Sequence, residues 1–250
     1  MEIDLVSIIT PCYNSEKYIK DTFLSIKAQT YSNWEWIIVD DCSIDKSVDL
    51  IKSFNDSRIK LFVQLENQGA AKARNLALNN SNGRFITFID SDDLWLPNFL
   101  ERTINYLISN NENLVYTSYK RVDENLNPVL DDFIAIDKVD KTRILYNCPI
   151  PMLTSVYDSS KIGIVEFPDV ELREDHAMWI LLLRKIKYAR AINDSLAVYR
   201  MRSNSVSRNK LDIAIKQYKV YKDFLNMNII KSLYYTFFWG LNGLKKYGKL

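Results

Sequence analysis

The chain has 250 residues, 47% of them hydrophobic, and its 33 lysines and arginines against 31 aspartates and glutamates leave a formal net charge of +2. That length fits one large domain or one domain with appendages, and the near-neutral balance offers no strong field toward nucleic acid, so no nucleic-acid partner is expected. Cys12, Cys42 and Cys148 show no metal or redox spacing, the single His176 excludes a multi-histidine metal site, and neither a leader nor an apolar run of ~20 residues is visible, so a cytoplasmic protein without a spanning helix is expected.

In chain order, residues 5–10 read as a buried strand that ends in a loop, Pro11-Cys12-Tyr13-Asn14. A helix is expected over 16–29, with Ile19, Phe23 and Ile26 on one face and Asn14 or Ser15 as its cap. Residues 34–39 form a second strand that runs into Asp40-Asp41, and Ser43 or Asp45 opens a helix through residue 54. Residues 59–65 are a third strand. Asn67-Gln68-Gly69 then leads into a small-residue helix carrying Arg74 and Asn75. The strand over 85–89 runs straight into Asp90-Ser91-Asp92-Asp93.

That acidic end organises the chain. Neighbouring carboxylates repel one another and resist dehydration. A divalent cation, Mg²⁺ or Mn²⁺, would resolve both problems, because hard oxygen ligands suit it. Asp90 and Asp92, two apart, would project to one side of an extended segment. The alternative is a solvated acidic turn that caps the helix after Pro97.

Strand and helix alternate at the spacing of a parallel sheet covered on both faces, an α/β architecture. Ligands bind such sheets at the carboxyl ends of the strands. Three of those ends carry Tyr13-Asn14, Asp40-Asp41 and Asp90-Ser91-Asp92, which such a fold would gather along one edge. No G-x-G-x-x-G follows the first strand and no Walker lysine motif is present, which argues against a dinucleotide dehydrogenase or a P-loop enzyme.

Farther on, a helix reaches residue 108 and a strand covers 114–119. Residues 121–140, with Asp131, Asp132, Asp137 and Asp140, read as an irregular solvated excursion. A loop with two prolines, 148–152, precedes a short strand at 155–157. Leu172-Arg173-Glu174-Asp175-His176 opens a helix. Acids there are favoured by the helix dipole, and a carboxylate aimed into a cleft can also serve as a general base. After a strand at 191–199, residues 200–210 are cations among hydroxyls and amides, either a connector or a loop that closes on phosphates. Helix follows from Asp212. Over 229–250 apolar residues recur at helical spacing, framed by Lys231, Lys245, Lys246 and Lys249. Such a helix lies on a membrane surface, or packs on the domain or a second subunit.

Together the segments 6–14, 38–43, 67–75, 89–93 and 173–175 resemble the family 2 glycosyltransferases of the GT-A fold, and among them the bacterial enzymes of capsular polysaccharide, lipopolysaccharide and teichuronic acid synthesis. Each segment is weak alone; five in the right order are specific. The resemblance, over residues 4–210, implies a GT-A domain at 1–210, Rossmann-like with a mostly parallel central sheet flanked by helices, and a helical extension at 211–250. It implies an inverting, metal-dependent transfer from a nucleotide sugar, usually a uridine diphosphate sugar, to a hydroxyl of a glycan or lipid-linked acceptor. Pro11, Tyr13, Asp41 and Arg74 would lie along the nucleoside, with Asp41 on the uracil imide. Asp90 would hold the ribose, Ser91 would stand with it among the donor-binding residues, and Asp92 would carry Mn²⁺ or Mg²⁺ on the diphosphate. Asp175 would be the base with Glu174 beside it, and Arg202 would reach the diphosphate from the late loop. The Q-x-x-R-W pattern of processive synthases is absent, which argues for one sugar per encounter. Peripheral contact with the inner face of the cytoplasmic membrane and a homo-oligomer are compatible with this picture. A nucleotidyltransferase, which would want a glycine-rich basic loop after the first strand, and a non-catalytic sugar-binding homologue are the competing readings.

Overall fold

In the computed structural model, which describes residues 2–170, 173–202 and 210–247, the first strands are β1 (Glu2–Cys12), β2 (Trp34–Asp40), β3 (Ile59–Val63) and β4 (Gly83–Phe88). They pair in parallel in the order β3-β2-β1-β4, joined by α1 (Ile19–Lys27), α2 (Ser47–Ser53) and α3 (Ala70–Asn79). Side chains alternate across a strand, so a strand that is apolar throughout must be covered on both faces. Trp34, Trp36 and Ile38 of β2 pack with Phe23 of α1 and Ile51 of α2. Ile37 and Val39, between them, pack with Ala73, Ala77 and Leu78 of α3. All seven residues of β2 are buried, Glu35 included. Glu35 accepts from Ser7 Oγ at 2.5 Å, Lys60 Nζ at 2.6 Å and the Asn82 amide at 2.7 Å, which offsets its desolvation.

Beyond β4 the chain adds β5 (Leu94–Trp95), α4 (Phe99–Ser109), β6 (Leu114–Val122), β7 (Pro128–Phe133), β8 (Lys138–Val139), β9 (Val156–Asp158), a short α5 (Ser159–Ile162), α6 (Glu174–Lys185) and β10 (Ala189–Arg200). The sheet continues β4-β9-β6-β10-β5, with β7 on β6 and β8 on β10. The α/β class is as expected, with α1, α2 and α4 supplying one core and α3 and α6 the other. Parallel pairing, however, belongs to the first four strands and to β6–β10; β9 runs antiparallel to both β4 and β6. A strand as short as β9 enters from the loop before it and uses no crossover helix.

Three local expectations are corrected. Pro11 and Cys12 extend β1 and sit opposite Val39 and Asp40. Pairing of β1 with β4 stops at Ile9, so the ring of Pro11 removes no ladder bond on that side. Residues 121–140 contain β7 and β8, because the nearly fully exposed β7 is an edge ribbon whose polarity reports solvent on its side chains and says nothing of its paired backbone. The first helix begins at Ile19, and neither Asn14 nor Ser15 caps it through a side chain; the Ser15 carbonyl accepts the Tyr18 and Ile19 amides at 2.9 and 3.0 Å.

After β10 come α7 (Lys210–Lys219), one π-helical turn (Val220–Phe224) and α8 (Ile229–Tyr247). The boundary expected at residue 210 adjoins 203–209, which lie outside the described residues, as does most of the late loop. Gln217 of α7 accepts from Arg173 Nε at 2.8 Å and Tyr221 donates to the Leu145 carbonyl at 2.7 Å, so this region packs against the rest of the chain. No helix among the described residues is long and apolar enough to cross a membrane.

Candidate active site

Because β1, β2 and β4 run the same way, their carboxyl ends share one edge. At β2, Asp40 is consumed by its own turn, accepting Ser43 N–H at 2.9 Å and Ser43 Oγ at 2.5 Å. Asp41 reaches across to α3: Oδ1 accepts the Gln68 amide at 2.7 Å and Oδ2 the Gly69 amide at 2.8 Å. Gly69, at φ +90°, occupies backbone space that favours glycine, and it turns both amides onto the carboxylate at the positive end of the helix. Each oxygen of Asp41 keeps a second lone pair for a ligand donor. Asn14 (φ 48°) and Cys42 (φ 65°) fold the strand ends back sharply, and the two turns are tied by Asn14 N–H to Ser43 Oγ at 2.9 Å. Tyr13 is left 49% exposed at the rim. Burial and then the Asp40 charge push the Cys12 thiol up to about 12, so it stays protonated and is no nucleophile.

The acidic segment after β4 is a turn, closed by the Asp93 amide on the Asp90 carbonyl at 3.2 Å. This corrects the expectation of an extended pair with Asp90 and Asp92 side by side. Like charges separate, each onto its own donor. Asp90 Oδ1 meets Arg74 at 2.7 Å and Asp92 Oδ2 meets Arg202 Nε at 2.8 Å. Asp93, fully buried, accepts the Arg200 amide at 2.8 Å. The turn is clamped from α1 by Thr22 Oγ1, which donates to the Ser91 and Asp93 carbonyls at 3.1 and 2.9 Å, and by Ser15, whose hydroxyl lies 2.6 Å from that of Ser91. Burial and the neighbouring Asp90 hold the Asp92 carboxyl above its usual range, with Arg202 pulling the other way. Burial, then Asp92 and Asp90, raise Asp93 further.

The third component comes from α6. Arg74, almost wholly buried on α3, contacts Asp90 on one side and Glu174 Oε1 at 3.5 Å on the other, so it joins the strand end to a helix start 84 residues further along. Burial raises the Glu174 carboxyl, with the Arg74 charge opposing. Asp175 is held below the usual carboxylate range: burial favours protonation, but Arg173, the His176 ring and backbone amide, and Arg74 outweigh it. His176, beside Asp175 at the helix start, makes its ring bonds to distant residues. It is fully buried, with Nε2 2.7 Å from the Ile144 carbonyl and Nδ1 3.1 Å from Gln217 Oε1. Burial, then the Arg173 charge, depresses it to about 4, so it remains neutral and belongs to the scaffold. The helix itself opens at Glu174; Leu172, expected in its first turn, lies outside the described residues.

The fold therefore brings Arg74, Asp90, Glu174 and Asp175 together, with Ser91 and Asp92 on the same turn as Asp90 and Arg202 reaching that turn from the segment after β10. Asp41 stands at the amino end of the helix that carries Arg74, Tyr13 lines the rim, and Pro11 stays inside β1. Sequence reasoning missed Tyr18 and Asp21 of the α1 region. Arg200 lies 4.7 Å and Arg202 5.7 Å from the Tyr18 ring centroid, and Arg200 also pairs with Asp21 at 3.0 Å. No local signal marks either residue, since both partners lie some 180 residues away. Among the described residues no group of three His, Cys, Asp or Glu is placed to hold a metal ion. Asp92, unfavourably charged beside Asp90, fits a cation that takes its remaining oxygen ligands from a bound diphosphate, the usual habit of Mg²⁺.

The model of the glycosyl transferase family 2 matches residues 7–156. The chain belongs to that family. A putative teichuronic acid biosynthesis glycosyltransferase, TuaG of Bacillus subtilis, is 37% identical over 97% of both chains. WfgD of Escherichia coli, a UDP-Glc:alpha-D-GlcNAc-diphosphoundecaprenol beta-1,3-glucosyltransferase, is 38% identical over 99% of this chain and 96% of its own. Among solved structures, TarS 1-349 of S. aureus in complex with UDP-GlcNAc superposes with a TM-score of 0.75 at 22% identity, covering 99% of this chain and 77% of that 1-349 chain. The protein is thus a family 2 glycosyltransferase of the GT-A fold, and the competing reading as a nucleotidyltransferase is set aside.

Proposed function

We propose that this glycosyltransferase moves one sugar from a UDP-sugar, with inversion, to a hydroxyl of a lipid-linked glycan in the assembly of a bacterial surface polysaccharide. The observation that carries the reading is the Arg74 bridge: one buried guanidinium ties the donor-side Asp90 to Glu174 beside Asp175. The UDP-Glc donor and diphosphoundecaprenol acceptor of WfgD, the teichuronic acid pathway of TuaG and the UDP-GlcNAc bound in TarS support the substrate class.

In this reading the uracil lies against Tyr13, and its imide hydrogen goes to a free lone pair of Asp41. Pro11 offers backbone contact, while Asp90 and Ser91 face the ribose with Arg74 behind them. Asp92 would hold Mn²⁺ or Mg²⁺, which would supply Lewis-acid stabilisation for the charge that grows on the departing diphosphate. Arg202 exchanges its carboxylate partner for a phosphate oxygen. A sugar hydroxyl is a poor nucleophile, so its proton must leave as the new bond forms. Asp175, ionised and half-buried, takes that proton. Attack opposite the leaving group inverts the anomeric carbon.

The test incubates the full chain with a panel of nucleotide sugars, a synthetic polyprenyl-diphosphate sugar acceptor, and Mn²⁺, Mg²⁺ or EDTA. The expected outcome is metal-dependent release of UDP with one sugar added, its anomeric configuration opposite to the donor's by NMR. Transfer from a nucleoside monophosphate sugar alone, or retention of configuration, would overturn the assignment.

A further inference from the structure

The outer face of α8 has no counterpart in the site chemistry. Ile229, Ile230, Leu233, Tyr234, Phe237 and Leu241 are each between 40% and 80% exposed. At 100° per residue they fall on one continuous stripe of the helix. Scattered apolar side chains on a surface need no explanation, but a contiguous stripe does.

The helix cannot turn this stripe inward, because its opposite face is already engaged. Ser232 is buried, the Tyr235 and Phe238 rings pack on Tyr146 at 5.1 and 6.0 Å, Arg173 lies 5.1 Å from the Trp239 ring, and Asn242 donates to the Tyr146 carbonyl at 3.2 Å. Those contacts anchor α8 to Tyr146 and to Arg173 at the start of α6.

Charge selects the occupant. After Asp223 the sequence contains no further acid, while residues 231, 245, 246 and 249 are lysines. A second copy of this chain would bring the same lysine-bearing, acid-free segment against itself. An anionic lipid surface supplies what that segment lacks: hydrocarbon for the stripe and negative charge for a stretch of chain that carries lysines and no acid. An open cavity of about 800 Å³ lies at the amino end of the stripe, with Lys231, Asn228, Tyr146 and Tyr235 among its lining. The helix is not apolar enough to span the bilayer, so it lies along the surface.

We infer that α8 seats the enzyme on an anionic membrane surface through Ile229, Ile230, Leu233, Tyr234, Phe237 and Leu241. This goes beyond the transfer reaction, and its test needs neither donor nor acceptor, so its failure leaves the proposed activity standing. The full chain is sedimented with vesicles of phosphatidylcholine and with vesicles that also contain phosphatidylglycerol. Binding to the second is expected to exceed binding to the first roughly tenfold and to weaken in high salt. The double variant Leu233→Glu/Phe237→Glu changes two exposed positions; it should keep its circular dichroism spectrum and donor hydrolysis while losing sedimentation about tenfold or more. No preference for anionic vesicles, or equal sedimentation of the variant, would overturn the inference. So would a lipid-free dimer that the double variant dissolves, which would assign the face to a second copy.

Discussion

The turn after β4 and the first turn of α6 are chemically alike and structurally opposite. Each places adjacent titratable groups at a segment end, Asp90, Asp92 and Asp93 in one and Glu174, Asp175 and His176 in the other. In each, one member is withdrawn into the scaffold: Asp93 accepts the Arg200 amide, and His176 meets Ile144 and Gln217. Arg74 ties the two together through Asp90 and Glu174. They differ in the state of the remaining carboxylate. Asp92 is pushed above its usual range by burial and Asp90, with Arg202 at 2.8 Å pulling the other way. Asp175 is held below the usual range against its burial, so it stands ionised and able to accept a proton. Under the proposed reading the same residue type would serve as a cation site in one surrounding and as a base in the other, and the neighbours would decide which.

The sharpest break of that comparison is Asp92→Ala. If Asp92 serves a cation at the leaving diphosphate, transfer falls on the order of 10³-fold, while the melting temperature stays put or rises, since a strained charge is gone. Full transfer by this variant in metal-free buffer would remove the cation from the account.

Next in size is the division of labour in α6. Asp175→Asn is expected to lower kcat by roughly 10²- to 10⁴-fold with little change in donor affinity. Glu174→Gln, acting through Arg74, should cost far less. The pH profile separates the two, because a base must be ionised and activity is lost as pH falls through its pKa. With Asp175 as base, kcat/KM persists below the usual carboxylate range; with Glu174 as base, the acid limb begins above it. A larger loss in Glu174→Gln, together with an early acid limb, would exchange the two roles.

The smallest effect concerns the withdrawn His176 and is read in stability. Folded, its pKa is about 4, against the usual ~6.5 when unfolded. Above about pH 6.5 both states are neutral and this group contributes no pH dependence. As pH falls from there toward 4, the unfolded chain takes up a proton that the folded chain refuses, so stability drops by up to about 3 kcal/mol. Chemical denaturation of the wild type and of His176→Gln across that window measures it; equal slopes in the two proteins would mean that the ring is protonated in the fold.

Much of this was legible along the chain because it is local. The alternation of strand and helix, the largely apolar β2, and the polar residues that end β1, β2 and β4 all follow from periodicity and from the rule that ligands gather at strand ends. The five family segments were legible too, since each is contiguous. What stayed hidden depends on partners far apart in sequence. Nothing in residues 121–140 announces that β7 will pair with β6, because an exposed edge ribbon carries no apolar period. Nothing near Tyr18 or Asp21 points to Arg200. That Asp90 and Asp92 part company, and that Asp41 is spent partly on the amides of Gln68 and Gly69, are outcomes of tertiary charge pairing. The sequence by itself determined which residue types stand at the strand ends and in what order. The tertiary structure alone decided which carboxylate meets which arginine, because charge pairing acts through space and burial sets its strength.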